Sequence, residues 1–185
     1  MRSLLELVIW LGNVIFIMKN DYIEIAAEAI TKFIETGEKI KIISKSGGNE
    51  IKKGVFVSLK KQGQLRGCIG TVRGRFPIEE EIVNNAIAAA TEDPRFYPVS
   101  IDELDDLDIS VDILETEEDV FDLSELDPKI YGIIVEQGYR KGLLLPNIDG
   151  INSAKKQINI AKEKAGIVDG DFNIKRFKVT RYERM

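Results

Sequence analysis

A strict alternation of apolar and polar residues over 107–113 is the feature that most constrains the fold. Successive side chains of a β-strand point to opposite faces of a sheet, so the pattern predicts a strand with one buried face and one face in water. A hairpin is predicted over residues 54–72, because the alternating Val55, Val57 and Leu59 precede the polar segment 60–64 and the apolar segment 65–72. Residues 133–145 form a second hairpin candidate, and Phe177 with Val179 indicates a closing strand.

Three segments have the spacing of amphipathic helices, each with one apolar face. The first starts at Asp21, which with Glu24 resembles a capping box, and ends at Gly37. The other two run from Pro77 to Asp93 and from Ile151 to Gly166. Strands and helices do not alternate as they do in a doubly wound sheet. We therefore predict an α+β fold, with a mostly antiparallel sheet and flanking helices, in a single domain over residues 18–185.

Residues 1–17 form an apolar extension that is interrupted by Glu6, Gly12 and Asn13. A membrane span needs about 20 apolar residues, so this stretch is too short and too broken to cross a bilayer. A secretory signal also needs a small-residue cleavage site, and the sequence offers only the basic Arg2. Two explanations remain open: translation normally starts at Met18, or the segment is an apolar arm that packs on the body.

Histidine is absent, and Cys68 is the sole cysteine of the 185 residues. The lack of histidine excludes a Ser-His-Asp triad, a Cys-His dyad and mixed Cys/His metal sites. A single cysteine excludes an intrachain disulfide and a protein-only iron–sulfur cage. The sequence assigns no metal ligand and no cofactor. One free cysteine without a convincing export signal favours a cytoplasmic location.

Charge is segregated along a chain whose net charge is −5. Residues 102–127 hold 13 acidic residues and no basic one, whereas residues 39–75 hold ten basic residues and only Glu50 as an acid. One interpretation is that acidic and basic strands are neighbours or solvated faces. The other is a basic surface around residues 52–75 that attracts an anionic ligand. Aromatic residues near it are few, which disfavours nucleic-acid binding.

Residues 65–71 are the candidate for chemistry. In an extended strand Arg66, Cys68 and Gly70 share one face, which places a guanidinium beside the thiol. A fixed cation favours the thiolate, and flanking glycines admit a ligand or another backbone, so Cys68 is a candidate reactive or substrate-clamping group. The alternative is structural: Cys68 is a small buried residue, and Gly67 and Gly70 mark a bulge or a close packing contact.

A second candidate group lies at the end of the second helix. Asn85 occupies a helix otherwise made of Ile and Ala, so it either hydrogen-bonds a neighbouring loop or points into a site. Asp93, Arg95 and Phe96 follow that helix. Asp93 and Arg95 either stabilise a turn or bind a ligand.

These residues together resemble a known family, the AMMECR domain, whose bacterial and archaeal members are called AmmeMemoRadiSam system protein A. The resemblance runs from about Tyr22 to Tyr182 and has five strings. They are Leu-Arg-Gly-Cys-Ile-Gly-Thr at 65–71, Asn-Ala-Ile-Ala-Ala-Ala at 85–90, Asp-Pro-Arg-Phe at 93–96, Leu-Asp-Ile-Ser-Val at 107–111 and Gly-Leu-Leu-Leu-Pro at 142–146. The first is the signature of the family.

The resemblance implies an α+β fold with a larger and a smaller lobe around a cleft, and a signature segment that lines a functional site. From the name of the system, it also implies a Memo-like protein and a radical-SAM protein as partners. The positions it selects are Arg66, Gly67, Cys68, Gly70, Asn85, Asp93, Arg95 and Phe96.

Two hypotheses follow. In the first, the protein is an enzyme or an accessory enzyme subunit that acts on a small or anionic substrate, with Cys68 and Arg66 as catalytic residues. Its substrate-binding residues are Gly67, Gly70, Thr71, Asn85, Asp93, Arg95 and Phe96. In the alternative, the protein is a non-catalytic protein-binding or RNA-binding module in which Cys68 is structural. Neither a reaction nor a membrane association is assigned.

Overall fold

The computed structural model describes residues 9–11, 14–16, 21–43 and 51–183. The chain divides into a larger first unit, residues 1–113 with 181–185, and a smaller second unit, residues 114–180. In chain order the elements are β1 (Ile9–Leu11), β2 (Val14–Phe16), α1 (Tyr22–Thr36), β3 (Lys41–Ile43), β4 (Val55–Lys61), β5 (Gln64–Thr71), α2 (Ile78–Thr91), β6 (Leu107–Leu114), β7 (Glu118–Asp119), β8 (Gly132–Gln137), β9 (Arg140–Leu144), α3 (Ala154–Ala165), β10 (Asn173–Phe177) and β11 (Val179–Glu183). Short 3-10 turns lie at Ile101–Asp106 and Leu123–Glu125. The predicted α+β class is confirmed, while the cleft stays a prediction.

The strands form three sheets, in the orders β11-β6-β4-β5, β7-β10-β8-β9 and β1-β2-β3. The pairs β4–β5, β4–β6, β8–β9, β8–β10 and β7–β10 are antiparallel, as predicted. Both predicted hairpins are confirmed. The pair β2–β3 is parallel.

The helix ends follow local capping chemistry. The Asp21 side chain accepts a hydrogen bond from the backbone N–H of Glu24 at 3.1 Å, and Gly37 ends α1 in a left-handed conformation. The second helix ends at Thr91, slightly before the predicted Asp93. The third starts at Ala154 rather than Ile151, because the Ser153 side chain caps it.

In the first unit, α2 packs on β4 and β5, and α1 packs on α2. Two glycines allow a strand to approach a helix backbone closely. A Cβ atom at Gly67 of β5 would lie 2.1 Å from the carbonyl oxygen of Ala89, on α2. In the second unit, a Cβ atom at Gly142 of β9 would lie 1.9 Å from the carbonyl oxygen of Ala161, on α3. Each unit therefore has a strand–helix contact that excludes any larger residue.

The strand β6 departs from the alternation in one respect. The pattern predicts that Asp112 faces water, but its side chain is only 2% exposed. This prediction is wrong because β6 is an inner strand, and Arg181 of the neighbouring β11 covers the carboxylate. Nε and Nη2 of Arg181 donate to Asp112 at 2.7 and 2.8 Å. These hydrogen bonds raise the pKa of Arg181.

Within the apolar extension, the described positions 9–11 and 14–16 are strands that pair with each other, and β2 also pairs with β3. The other residues of the extension lie outside the described residues, so its assignment as an arm or as a start-site artefact stays a prediction. No helix in the described part of the chain is long and apolar enough to cross a membrane.

Candidate functional site

The candidate site is on the β4–β5 hairpin, where strand register fixes the side-chain directions. Cys68 on β5 pairs with Ser58 on β4, which in turn pairs with Ser110 on β6. The neighbouring Gly67 faces α2. Because side chains alternate along a strand, Cys68 lies on the sheet face opposite α2. The three small polar side chains therefore form a row across that face.

The thiol of Cys68 is half-buried. The hydroxyl group of Ser58 donates a hydrogen bond to Sγ at 3.2 Å. Two arginines lie within electrostatic range. The pKa values of Arg95 and Arg181 are raised, mainly by hydrogen bonds to their carboxylate partners, Asp93 and Asp112.

Arg66 binds protein groups other than the thiol. It is the extra residue at a β-bulge, where the register shifts between Leu59 and Lys60 of β4. Its Nε and Nη2 donate to the carboxylate of Glu103 at 3.0 and 2.8 Å, and its Nη1 donates to the Tyr97 carbonyl at 2.9 Å. The hydrogen bonds from Arg66 are the main cause that lowers the pKa of Glu103 to about 2. The guanidinium thus ties β5 to the segment that precedes β6.

Asp93 and Arg95 hold the backbone of Cys68. Oδ2 of Asp93 accepts from the Cys68 N–H at 2.8 Å and from Nη2 of Arg95 at 2.6 Å. Oδ1 of Asp93 accepts from Nε of Arg95 at 2.9 Å. The Asp93 side chain is 2% exposed, and the Arg95 hydrogen bonds, with help from the Cys68 N–H, hold its pKa well below the usual range. The guanidinium carbon of Arg95 also lies 5.4 Å from the Phe96 ring centroid.

Thr71 and Asn85 meet at the buried carboxylate of Glu81. Oε2 of Glu81 accepts from the Thr71 hydroxyl at 2.8 Å and from the Asn85 amide at 3.4 Å. Oε1 accepts from the backbone N–H groups of Arg75 and Phe76. Asn85 also donates to the Val55 carbonyl at 3.2 Å. The group anchors the loop after β5, and a binding role for Asn85 stays a prediction.

Two glycines of β5, Gly67 and Gly70, are in close contacts. Gly67 lies against α2, and a Cβ atom at Gly70 would be 2.3 Å from the Phe56 ring. Both contacts fit the structural interpretation of these glycines. The predicted site residues fall into three bonded groups. They are Cys68 with Asp93, Arg95 and Phe96; Thr71 with Asn85; and Arg66 with Glu103.

Sequence reasoning missed four contributors: Ser58, Glu81, Glu103 and Arg181. The strand pairing of the hairpin would have identified Ser58, since it is opposite Cys68. The spacing of Ser100 and Glu103 is that of a capping box, which the structure contains. Glu81 and Arg181 gave no signal, because each binds residues that are close only in the fold. Among the described residues, no group of three or more Cys, Asp or Glu side chains is arranged to hold a metal ion.

Comparison with known proteins identifies the family. The AMMECR1 family profile matches residues 23–185. A protein of Clostridium acetobutylicum is 50% identical over 173 residues, which cover 89% of this chain but 36% of that protein. A Thermotoga maritima protein is 49% identical over 172 residues, which cover 89% of this chain and 98% of that protein. The crystal structure of an uncharacterised Pyrococcus horikoshii protein matches with a TM-score of 0.79 and 30% identity, over 88% of this chain and 89% of that one. The chain therefore belongs to the AMMECR1 family.

Proposed function

We propose that the protein is a cysteine-dependent enzyme, or an accessory subunit of one, that acts on a small electrophilic or anionic substrate at Cys68. The observation that carries the proposal is the hydrogen bond from Ser58 to Sγ, 3.2 Å long, at a half-buried thiol. A thiol that only fills space in a core needs no hydroxyl partner. The bond instead holds the sulfur in a defined position on the face of the sheet.

The backbone around the thiol supports the same proposal. The Asp93 carboxylate accepts a hydrogen bond from the N–H of Cys68, and Gly67 allows β5 to pack closely against α2. A nucleophile held in one position loses little entropy when it meets its substrate. In the proposed step, the sulfur adds to an electrophilic carbonyl carbon of the substrate: the S–C bond forms, the C=O π bond breaks, and its electron pair moves to the oxygen. The thiol proton goes to solvent, because the chain has no histidine to accept it.

Arg66 has a positioning role in this proposal rather than the catalytic role that its sequence position suggests. Its charge is balanced by Glu103, and its donors bind that carboxylate and two carbonyl groups. Arg95 and Arg181, which bind Asp93 and Asp112, are cations within electrostatic range of Cys68.

Alkylation of the native protein tests the proposal. Iodoacetamide should modify Cys68 in the folded protein, and Ser58→Ala should slow the reaction severalfold at neutral pH without unfolding the chain. Ser110→Ala, in the same row but one strand further from the sulfur, is the matched control and should react at the wild-type rate. If alkylation occurs only after denaturation, or if Ser58→Ala reacts as fast as wild type, the proposal is wrong.

A second candidate is a non-catalytic binding module with a structural Cys68. It is favoured because the side chains of Arg66, Asp93 and Arg95 form hydrogen bonds with other groups of the protein. Under this alternative, Cys68→Ser and Cys68→Ala lower stability and leave partner binding unchanged.

We also propose Memo-like and radical-SAM proteins as partners, on the basis of the family resemblance. The Clostridium relative supports a partnership in general terms, because the matched region is 36% of that protein. In that relative, the domain shares its polypeptide with a further segment. Co-purification of the tagged full chain with each candidate partner, compared with Arg66→Ala, tests this part of the proposal.

A further inference from the structure

The basic residues of the β4–β5 hairpin lie beside acidic residues at only one of its two ends, within the described residues. Near the Gln62-Gly63 turn, Lys61 forms ion pairs with Glu103 at 3.3 Å and with Asp106 at 3.8 Å. Lys60 is opposite Asp108 in the sheet. The acidic segment and the basic hairpin are thus neighbours at this end, as one interpretation of the sequence expects.

The other end of the hairpin keeps its positive charge. Within the described residues, Lys52, Lys53 and Arg75 make no ion pair. Their two segments are in direct backbone contact, because a Cβ atom at Gly74 would lie 2.4 Å from the carbonyl oxygen of Lys53. The buried Glu81 binds the N–H groups of Arg75 and Phe76 and so holds the second segment in place.

Large apolar side chains are exposed beside these cations. Ile51 is 64% exposed and Phe76 is 43% exposed. We call the surface of Ile51, Lys52, Lys53, Arg75 and Phe76 the basic patch. Exposed apolar side chains mark interaction sites, and the cations beside them can pair with a partner of opposite charge.

A complementary surface occurs in the second unit. Phe121 is 93% exposed and Leu123 is 55% exposed. The turn that carries them is ordered, since Oε1 of Glu125 accepts from the N–H groups of Phe121 and Asp122 at 3.2 and 2.9 Å. Asp119 and Asp122 make no ion pair within the described residues. We call residues 119–125 the Phe121 turn.

We propose that the basic patch of one copy of this chain binds the Phe121 turn of a second copy. The two surfaces match in charge, and each exposes apolar side chains that lose water on contact. Nucleic acid fits the patch less well, because only Phe76 is available for stacking and the chain carries a net charge of −5. Since the two surfaces differ, the copies associate head to tail, or form a two-fold symmetric dimer in which each basic patch binds the other copy's Phe121 turn.

Sedimentation velocity of the full chain, from low to high micromolar concentration, tests the proposal. Wild-type protein should self-associate at low salt and dissociate as salt screens the charges. The double variant Lys53→Glu/Arg75→Glu should weaken association by on the order of tenfold or more. Phe121→Ser should have a similar effect. The control Lys155→Glu/Lys156→Glu, on exposed positions of α3, should associate like wild type.

Mixing gives the sharpest result. Lys53→Glu/Arg75→Glu keeps a normal Phe121 turn, and Phe121→Ser keeps a normal basic patch. Each is expected to be monomeric alone, and an equimolar mixture should form a dimer that grows no further. A wild-type monomer at every concentration overturns the proposal, as does association that neither variant weakens. A monomer whose basic patch binds a labelled acidic peptide or RNA also overturns it, because the occupant is then not a second copy.

Discussion

The carboxylate of Asp93 accepts a hydrogen bond from the backbone N–H of Cys68 at 2.8 Å, although the two residues belong to different elements. The same carboxylate binds Arg95 through both of its oxygens. The loop after α2 therefore fixes the position of the thiol-bearing strand. The guanidinium of Arg95 balances the charge of the Asp93 carboxylate.

Replacement of Asp93 should lower stability markedly. Asp93→Ala removes a buried carboxylate and leaves the Cys68 N–H and the Arg95 guanidinium without their acceptor, so the free energy of unfolding should fall by about 2–4 kcal/mol. Urea denaturation followed by circular dichroism measures the change. Asp105→Ala, at an exposed position, should stay within about 0.5 kcal/mol of wild type. Equal midpoints for the two variants would contradict this account.

Glu81→Gln should destabilise the loop after β5. Both oxygens of Glu81 accept hydrogen bonds from donors, so an amide NH₂ at either position would face another donor. The expected loss is about 1–3 kcal/mol. Hydrogen exchange should also show faster exchange at the N–H groups of Arg75 and Phe76. Glu80→Gln is the matched control, because Glu80 is the exposed neighbour on the same helix. Unchanged exchange in Glu81→Gln would mean that the carboxylate does not anchor the loop.

Gly67→Ala and Gly142→Ala should both be costly, one in each unit. In each case the new Cβ atom would overlap a helix carbonyl oxygen, at 2.1 and 1.9 Å, and backbone atoms cannot move aside cheaply. The expected loss is about 2–3 kcal/mol. Gly63→Ala has open space but a φ of +75°, so it should cost about 1 kcal/mol. Thermal unfolding ranks the three, and a larger loss for Gly63→Ala would refute the steric argument.

Acid should weaken the protein in a defined range. Glu103 has its pKa lowered from 4.5 to about 2, with Arg66 as the main cause, and Arg95 is the main cause that lowers the pKa of Asp93. A carboxyl group with a depressed folded pKa stabilises the protein above its unfolded pKa, and that contribution is lost as pH falls toward the folded value. Urea midpoints should therefore fall as the pH drops below about 4.5.

Glu103→Gln identifies the source of this pH dependence. The variant should be less stable at neutral pH and should lose less stability on acidification, by on the order of 2 kcal/mol. Glu115→Gln replaces an exposed acid, so its stability should depend on pH as that of wild type does. If the stability of Glu103→Gln fell with pH as steeply as that of wild type, the Arg66–Glu103 pair would not be the cause of the pH dependence.

The sequence predicted the elements better than the contacts of the charged residues. Alternation and capping located the hairpins and α1, because those signals depend on residues close in the chain. The role of Arg66 could not be read in the same way. Its guanidinium is directed by a β-bulge and by the carboxylate of Glu103, which is 37 residues away. Neither feature produces a recognisable pattern in the nearby sequence. Asp112 likewise looked solvated because its partner, Arg181, lies 69 residues away.

The position of β5 at the edge of its sheet has a consequence for the behaviour of the protein in concentrated solution. An edge strand offers unpaired backbone groups to any other extended chain, which is a route to aggregation. At Cys68 the outward N–H is taken by Asp93, and Arg95 lies 3.5 Å from the carbonyl oxygen. Side chains from the loop after α2 thus stand where another strand would pair. The Asp-Pro-Arg-Phe string protects the middle of this edge from strand addition.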